Sequence, residues 1–244
     1  MRQIGEVELG LIPAIVGVLR RLSIQDAIRA EEAGADVIEL RIDLLEARER
    51  KIAEIREFIE QQKLPVIVTN RRREEGGSFW GTEEERIVML SRIIETTQVN
   101  AVDIEFLSHN GEKNELIEAA NSRHIPVISS FHDFNGMPRH DDILDLVEGM
   151  YDEGGSVAKI AVMPKSLNDT LFLLKLTQEV SAAGKLLVCI GMGSVGRHVR
   201  VIAPLYGSVL TYGFVEGEEG VAPGQFSVKE LRYMLDMLGQ ERTR

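Results

Sequence analysis

The 244 residues carry 28 Lys and Arg against 39 Asp and Glu, a formal net charge of −11 that opposes sequence-independent binding to nucleic acid or to an anionic membrane. Hydrophobic residues at 44% and charged residues at 27% describe a chain that buries a core, not a disordered or fibrous one. No apolar run reaches the ~18 residues of a membrane span, the opening MRQIGEVELG lacks the apolar stretch of a signal peptide, and the lone Cys189 permits no intramolecular disulfide, so a cytoplasmic protein is expected.

Short runs rich in Val, Ile and other apolar residues at 13–19, 36–42, 65–70, 100–106, 125–131, 156–163, 185–190 and 207–214 predict eight strands separated by amphipathic stretches. Helix starts are marked by Ser23-Ile-Gln-Asp26, Thr82-Glu-Glu-Glu85, Ser166-Leu-Asn-Asp169 and Ser227-Val-Lys-Glu230. In each, a hydroxyl can accept from an orphan N–H while an acid reaches back, as in a capping box. Strands that alternate with helices pair in parallel through right-handed crossovers. Eight such units predict a (β/α)8 barrel, a fold of ~250 residues. It is expected as a single domain over residues 1–244, with its core over about 12–240 and a short N-terminal extension covering the lower end of the barrel.

A barrel strand sends alternate side chains to the lumen and to the helices outside, and the charged residues obey that parity. Glu39 and Arg41 oppose Ile38, Leu40 and Ile42. Arg71 falls with Ile67 and Thr69 against Val66, Val68 and Asn70. Asp103 and Glu105 oppose Val102, Ile104 and Phe106; Ser130 and His132 oppose Ser129 and Phe131; Lys159 lies with Val157 and Ala161 against Ala158, Ile160 and Val162. Five successive strands thus direct their polar residues to one face, the lumen. Burying each ion costs several kcal/mol even when it is paired, against a domain stability of only ~5–15 kcal/mol, so the set points to a site. Arg41, Arg71, Glu105 and His132 fall at strand C-terminal ends, where barrels of this kind carry their chemistry.

A lysine in an apolar barrel can lose its proton, because burial and neighbouring Arg cations both disfavour the charged form. The free amine attacks ketones to give a Schiff base. One strand earlier, His132 can donate and accept protons near neutrality.

Taken together, Glu39-Leu-Arg41-Ile-Asp43, Thr69-Asn-Arg71-Arg-Arg-Glu-Glu75-Gly-Gly77, Ser130-Phe-His132-Asp-Phe134, Lys159-Ile-Ala-Val-Met-Pro164, Met192-Gly-Ser-Val-Gly196-Arg-His-Val-Arg200 and Ala222-Pro-Gly-Gln225 closely resemble the type I 3-dehydroquinate dehydratase family of the shikimate pathway, which supplies chorismate for aromatic amino acids. The resemblance runs from about residue 12 to 240 in the family's order. It implies a cofactor-free and metal-free hydro-lyase, usually a homodimer, that acts through a lysine Schiff base in a syn elimination. Lys159 would condense with the C3 ketone and His132 would move protons. Glu75 would orient His132 and favour its imidazolium. Arg200 and Gln225 would bind the substrate carboxylate, Glu39, Arg41 and Arg71 would surround the ring hydroxyls, and Asp103 and Glu105 would support them. Val221 and Val199 stand where the family commonly has Ser, which bears on carboxylate binding and on the Gly-rich 216–225 loop, expected to act as a lid.

Other readings remain open in the sequence. Gly191-Met-Gly193-Ser-Val-Gly196 is a literal G-x-G-x-x-G with Glu216 beyond it, as in an NAD-dependent oxidoreductase. Carboxylates with His132 could hold a metal, although Arg41, Arg71 and Lys159 compete for the same oxygens. The barrel could bind a hydroxy-acid without turnover. A class I Schiff-base aldolase would use the same lysine, commonly on a phosphate-bearing substrate.

Overall fold

The computed structural model describes residues 2–79, 81–108 and 110–240. A short antiparallel hairpin, β1 (Gln3–Ile4) and β2 (Val7–Glu8), leads into β3 (Ala14–Leu19). Strands and helices then alternate: α1 (Ile24–Ala33), β4 (Val37–Arg41), α2 (Ile52–Glu60), β5 (Val66–Thr69), α3 (Glu83–Thr96), β6 (Ala101–Glu105), α4 (Asn110–Ser122), β7 (Val127–Asp133), α5 (His140–Asp152), β8 (Val157–Val162) and α6 (Leu167–Ala182). After β9 (Leu187–Gly191) come two single-turn helices, α7 (Gly193–Gly196) and α8 (Val199–Ile202), then β10 (Leu210–Phe214) and α9 (Val228–Met237). Each predicted run coincides with one strand of the barrel, β7 extending two residues and β9 one residue past the predicted end.

The eight strands β3 to β10 form one parallel sheet in the order β10-β3-β4-β5-β6-β7-β8-β9. Its ends meet at a single bridge between Leu187 and Ser208, so the barrel is nearly closed. At this seam the Ser208 hydroxyl accepts from the Cys189 N–H at 3.1 Å and donates to the Leu210 carbonyl at 3.1 Å. A side chain there supplies bonds that a regular ladder would otherwise provide. Cys189 is buried, and burial pushes its thiol up to about 12.

Strand parity sorts the core as the sequence predicts. Ile38, Leu40, Val66, Val68, Val102 and Ile104 pack outward with Ile55, Ile87, Leu90 and Ile94 of the helices, as do Ala158, Ile160, Val162 and Cys189 on the far side of the barrel. Val16, Val18, Ile67, Ile128, Val157, Ala161 and Val188 pack with one another inside it. The hairpin closes the strands' N-terminal end: Ile4 and Leu9 are buried in the lumenal cluster, and Arg2 donates to the Gly184 carbonyl.

Three of the four expected capping boxes are complete, at Thr82, Ser166 and Ser227. The box at Ser23 is half formed. Its side chain accepts from the Asp26 N–H at 3.2 Å, but the Asp26 carboxylate is drawn to Arg21 and Arg29 instead of reaching back.

Because Ile4 fills space under the lumen and far from the strand C-terminal ends, Ile4→Ala should lower the unfolding free energy by about 2–5 kcal/mol. Urea unfolding beside substrate kinetics checks this, with KM expected to stay unchanged.

Candidate active site

Eight of the residues singled out in the sequence border one cavity at the strands' C-terminal ends: Glu39, Arg41, Arg71, Glu75, His132, Lys159, Arg200 and Gln225. Counted out to its mouth it holds about 480 Å³ of empty space. Asp103 and Glu105 lie beneath its wall, both at 0% exposure. Register explains the convergence. Ser130 on β7 stands beside Lys159 on β8, and His132 beside Ala161, so His132 and Lys159 point into the lumen from adjacent strands, two positions apart along them.

Lys159 is 3% exposed, and its surroundings differ from those expected. Cations were expected to press on the ammonium; instead Nζ meets Asp103 at 2.8 Å and Glu39 at 3.6 Å and stands 4.1 Å from the centre of the Tyr212 ring. Arg71 faces carboxylates as well: Asp103 at 2.8 Å and Glu105 at 2.9 Å, with a further hydrogen bond to the Ser130 hydroxyl at 2.7 Å. Ser130 in turn donates to Asp103 at 2.6 Å. Burial alone would raise the Asp103 carboxyl, but Arg71 and Lys159 outweigh it and hold the group well below the usual carboxylate range. Burial likewise works against the charge on Arg71, and Asp103 and Glu105 more than restore it.

The imidazole of His132 faces Glu75. Its Nδ1 lies 3.0 Å from Glu75 Oε2, which also accepts the His132 backbone N–H at 2.9 Å. The surroundings of the pair work against the expected imidazolium. Burial, then the cations Arg71 and Lys159, push His132 well below its ordinary value. Burial, then the like charge of Glu105, raise the Glu75 carboxyl to about 8. A carboxylate stabilises a nearby imidazolium only if it is itself ionised, and this one sits out of water beside another acid.

On the opposite wall Arg200 is 2% exposed, and its Nε has no hydrogen-bond partner among the described residues. Nη2 reaches only the Pro223 carbonyl at 3.3 Å, and burial, then Arg197, lower the guanidinium to about 10. A buried cation without a counter-charge beside a cavity is a receptor for an anion. The loop between β10 and α9 forms the cavity's rim through Val221, Ala222 and Gln225. It is anchored by a bond from the Gly193 N–H to the Pro223 carbonyl at 3.1 Å and by a Glu218–Arg21 ion pair. Gln225 accepts from the Val221 N–H at 2.8 Å and donates to the Tyr212 carbonyl at 3.3 Å, so its amide braces the loop as well as bordering the cavity. Of the two valines standing in place of a family Ser, Val221 borders the cavity, whereas Val199 is wholly buried in the outer helix layer.

Gly191-Met-Gly193-Ser-Val-Gly196 is accounted for by the β9–α7 turn. A Cβ on Gly191 would stand 2.5 Å from the Gly196 carbonyl oxygen, so the two glycines let the backbones touch. Among the described residues, no three of His, Cys, Asp and Glu are placed to hold a metal ion together.

Four residues near the cavity were given no role from the sequence, although Ser130 was placed on the lumenal face and Asp43 stands within a quoted motif. Asp43 binds Arg41 through two bonds at 2.9 and 2.7 Å and also accepts the N–H groups of Arg71 and Ser78. Ser130 joins Arg71 to Asp103, and Tyr212 forms the face under the amine. The fourth, Arg86 on α3, is 1% exposed and bonds Glu105 Oε2 at 2.7 Å. Its signal is periodicity: it sits on the helix stripe of Ile87, Leu90, Ile93 and Ile94, all buried, where a charge needs a partner.

A nearly closed eight-stranded barrel whose lumen presents a lysine, a histidine–carboxyl pair and an arginine with no carboxylate partner among the described residues defines an enzyme site of the (β/α)8 class. Residues 15–242 match the family model described as type I 3-dehydroquinase, and the chain belongs to that family. It is 41% identical to the 3-dehydroquinate dehydratase of Methanosarcina mazei over 98% of this chain and 100% of that one. It is 42% identical to that of Methanothrix thermoacetophila over 93% and 92%. Among solved structures, the type I 3-dehydroquinate dehydratase of Clostridium difficile, determined with covalently modified comenic acid, superposes with a TM-score of 0.87 at 28% identity over 99% of this chain and 98% of that one. The 3-dehydroquinate dehydratase of Geobacillus kaustophilus gives 0.87 at 25% identity, over 99% and 97%.

The opposite shifts of His132 and Glu75 leave a signature in stability. His132, depressed below 6.5, makes the folded state reject a proton that the unfolded state takes up in acid; Glu75, raised from 4.5 to about 8, makes it retain one that the unfolded state releases. Below about pH 6.5 the two slopes oppose each other, and from there to about 8 only Glu75 acts, so its contribution is lost as pH rises. In urea unfolding, the stability of the wild type minus that of Glu75→Gln should fall by on the order of 1 kcal/mol between pH 6.5 and 8.5. Parallel curves for the two proteins would contradict the assignment.

Proposed function

We propose that this chain converts 3-dehydroquinate to 3-dehydroshikimate and water through an imine on Lys159. One observation carries the reading. The buried Lys159 nitrogen, the His132 imidazole on the adjacent strand and the buried Arg200 guanidinium, which has no carboxylate partner among the described residues, all open on the same cavity, and suit in turn a ketone, an acidic C–H and a carboxylate. The naming of full-length relatives as 3-dehydroquinate dehydratases supports the substrate, and the covalently modified small acid in the Clostridium difficile structure accords with a covalent route.

The Lys159 nitrogen adds to the C3 carbonyl carbon, and the oxygen departs as water with protons passed through His132, leaving the imine. That group draws electrons from C2, so the C2 proton becomes acidic. Nδ1 of His132 is committed to Glu75, which leaves Nε2 to remove the C2 proton and form an enamine. The enamine electrons expel the C1 hydroxyl on the same face, protonated by His132 as it leaves, in a syn elimination. Water then hydrolyses the conjugated imine and frees the lysine. Asp103 holds the amine between turnovers, Arg200 and Gln225 bind the carboxylate, and Glu39, Arg41 and Arg71 meet the ring hydroxyls. The chain works without a cofactor in this scheme, as a cytoplasmic homodimer like the family it resembles.

Lys159→Ala should lose turnover entirely while still binding substrate, and a variant retaining substantial kcat would refute the covalent route. His132→Ala should lower kcat by roughly 100- to 10,000-fold, the usual contribution of a positioned acid–base group. For Arg200→Ala the expected change is mainly in KM, with a melting curve close to that of the wild type.

A further inference from the structure

A buried cation outside the barrel completes the charge lattice under the cavity. Arg86 belongs to α3, in the helix layer, yet its guanidinium passes between the strand ends and is 1% exposed. Toward the lumen, Nη1 donates to Glu105 Oε2 at 2.7 Å and to the Asn70 carbonyl at 2.6 Å. Toward the helix, Nε and Nη2 donate to Glu83 Oε2 and Oε1, each at 2.7 Å, and Nη2 also reaches the Ser108 hydroxyl at 2.9 Å. Every arm of the fork is used, so the group can neither rotate nor slide without breaking several bonds.

What it grips faces the site. Glu105 is 0% exposed. Its Oε2 goes to Arg86, while Oε1 accepts from Arg71 Nη1 at 2.9 Å and from the Arg72 N–H at 3.1 Å. Arg71 continues to Asp103 at 2.8 Å, and Asp103 to the Lys159 amine at 2.8 Å. The ion pairs therefore run without a gap from helix α3 to the reactive nitrogen: Arg86, Glu105, Arg71, Asp103, Lys159. The lumenal strand positions alone supply three anions, Glu39, Asp103 and Glu105, against three cations, Arg41, Arg71 and Lys159, but Asp43 takes up Arg41. Two cations then remain for three buried acids, and Arg86, which is shared with the part-exposed Glu83, brings a third into contact with Glu105.

We propose that Arg86 is a positioning residue for the dehydration: by fixing and neutralising Glu105 it sets where Arg71 stands in the cavity and how tightly the neighbouring Glu75–His132 pair holds its protons. This rests on the reading of Arg71, Glu75 and His132 given under Proposed function. Packing alone would not produce the second effect. Glu105 acts on Glu75 by like charge, so removing the cation that compensates Glu105 makes the pocket more negative and holds protons there to higher pH. The charged groups that act most on the pair are Arg71, Lys159, Arg41, Asp103, Glu105 and Arg72, and Glu39 and Arg200 line the same cavity.

The test is the pH dependence of kcat and KM for 3-dehydroquinate in the wild type, Arg86→Met, Arg86→Lys and Glu83→Gln, each beside its melting curve. Turnover by the wild type comes first, because its absence would sink the functional reading and not the role of Arg86. With that in hand, Arg86→Met should raise KM on the order of tenfold, the usual coupling within one buried ion-pair network, and move both limbs of the kcat profile to higher pH. Arg86→Lys, which restores the charge without the fork, should return the profile toward wild type while leaving part of the KM defect. Should Arg86→Met fail to fold, Glu83→Gln frees the far arm of the guanidinium without touching the site and should raise KM in the same direction by a smaller factor. The proposal is overturned if Arg86→Met folds and keeps both the wild-type pH profile and KM, if its losses follow melting temperature with the profile unmoved, or, where it does not fold, if Glu83→Gln leaves KM unchanged.

Discussion

The ion pair between Lys159 and Asp103, closed to water inside a barrel lumen, is the constraint around which the rest of the site is arranged. Two opposite charges at 2.8 Å attract strongly where the dielectric is low, yet stripping each of its hydration costs several kcal/mol. Such a pair survives only if the remaining valences of both partners are filled. Asp103 fills its own with Arg71 and the Ser130 hydroxyl, and Lys159 adds Glu39 and the face of Tyr212. Arg71 then requires Glu105, and Glu105 requires Arg86. One reactive amine thereby commits charged side chains from β4, the segment after β5, α3, β6 and β8, joined by the Ser130 hydroxyl of β7.

This arrangement also separates two kinds of group. Within the lattice, Asp103 is held well below the ordinary carboxylate range and Arg71 is held cationic. Glu75 and His132, adjacent but outside the chain of pairs, are pushed the opposite way, toward their neutral forms, by burial and by the lattice's own charges. Pairs of titratable groups driven apart by environment are what acid–base chemistry at neutral pH needs. Across the cavity Arg200 has no carboxylate partner among the described residues and leaves its Nε unbonded, so a ligand carboxylate would complete the balance.

Much of this was legible in the chain. Period-2 alternation placed Glu39, Arg41, Arg71, Asp103, Glu105, His132 and Lys159 on one face because a pleated strand leaves no other choice, and the count of strands fixed the barrel that brings those faces together. Less legible was what each charge meets. Parity says that Lys159 points inward but not that Asp103 reaches it ahead of Arg71, since that depends on strand stagger and rotamer. Arg86 approaches from a helix and breaks the rule that lumenal charge comes from strands. The states of Glu75 and His132 depend on burial where the turn carrying Glu75 meets β7, which no local pattern encodes. The two substituted valines looked equivalent in sequence; only packing separates Val221 at the cavity from Val199 in the outer layer.

The central claim, that the Lys159 nitrogen forms a covalent bond with a ketone carbon, is tested most directly by borohydride reduction of the protein in the presence of 3-dehydroquinate, followed by peptide mass spectrometry. One reduced ligand skeleton joined through a secondary amine to Lys159, and to no other lysine, is the outcome expected. An unmodified Lys159 in protein that is turning over substrate, or an adduct mapped to a surface lysine alone, would contradict it.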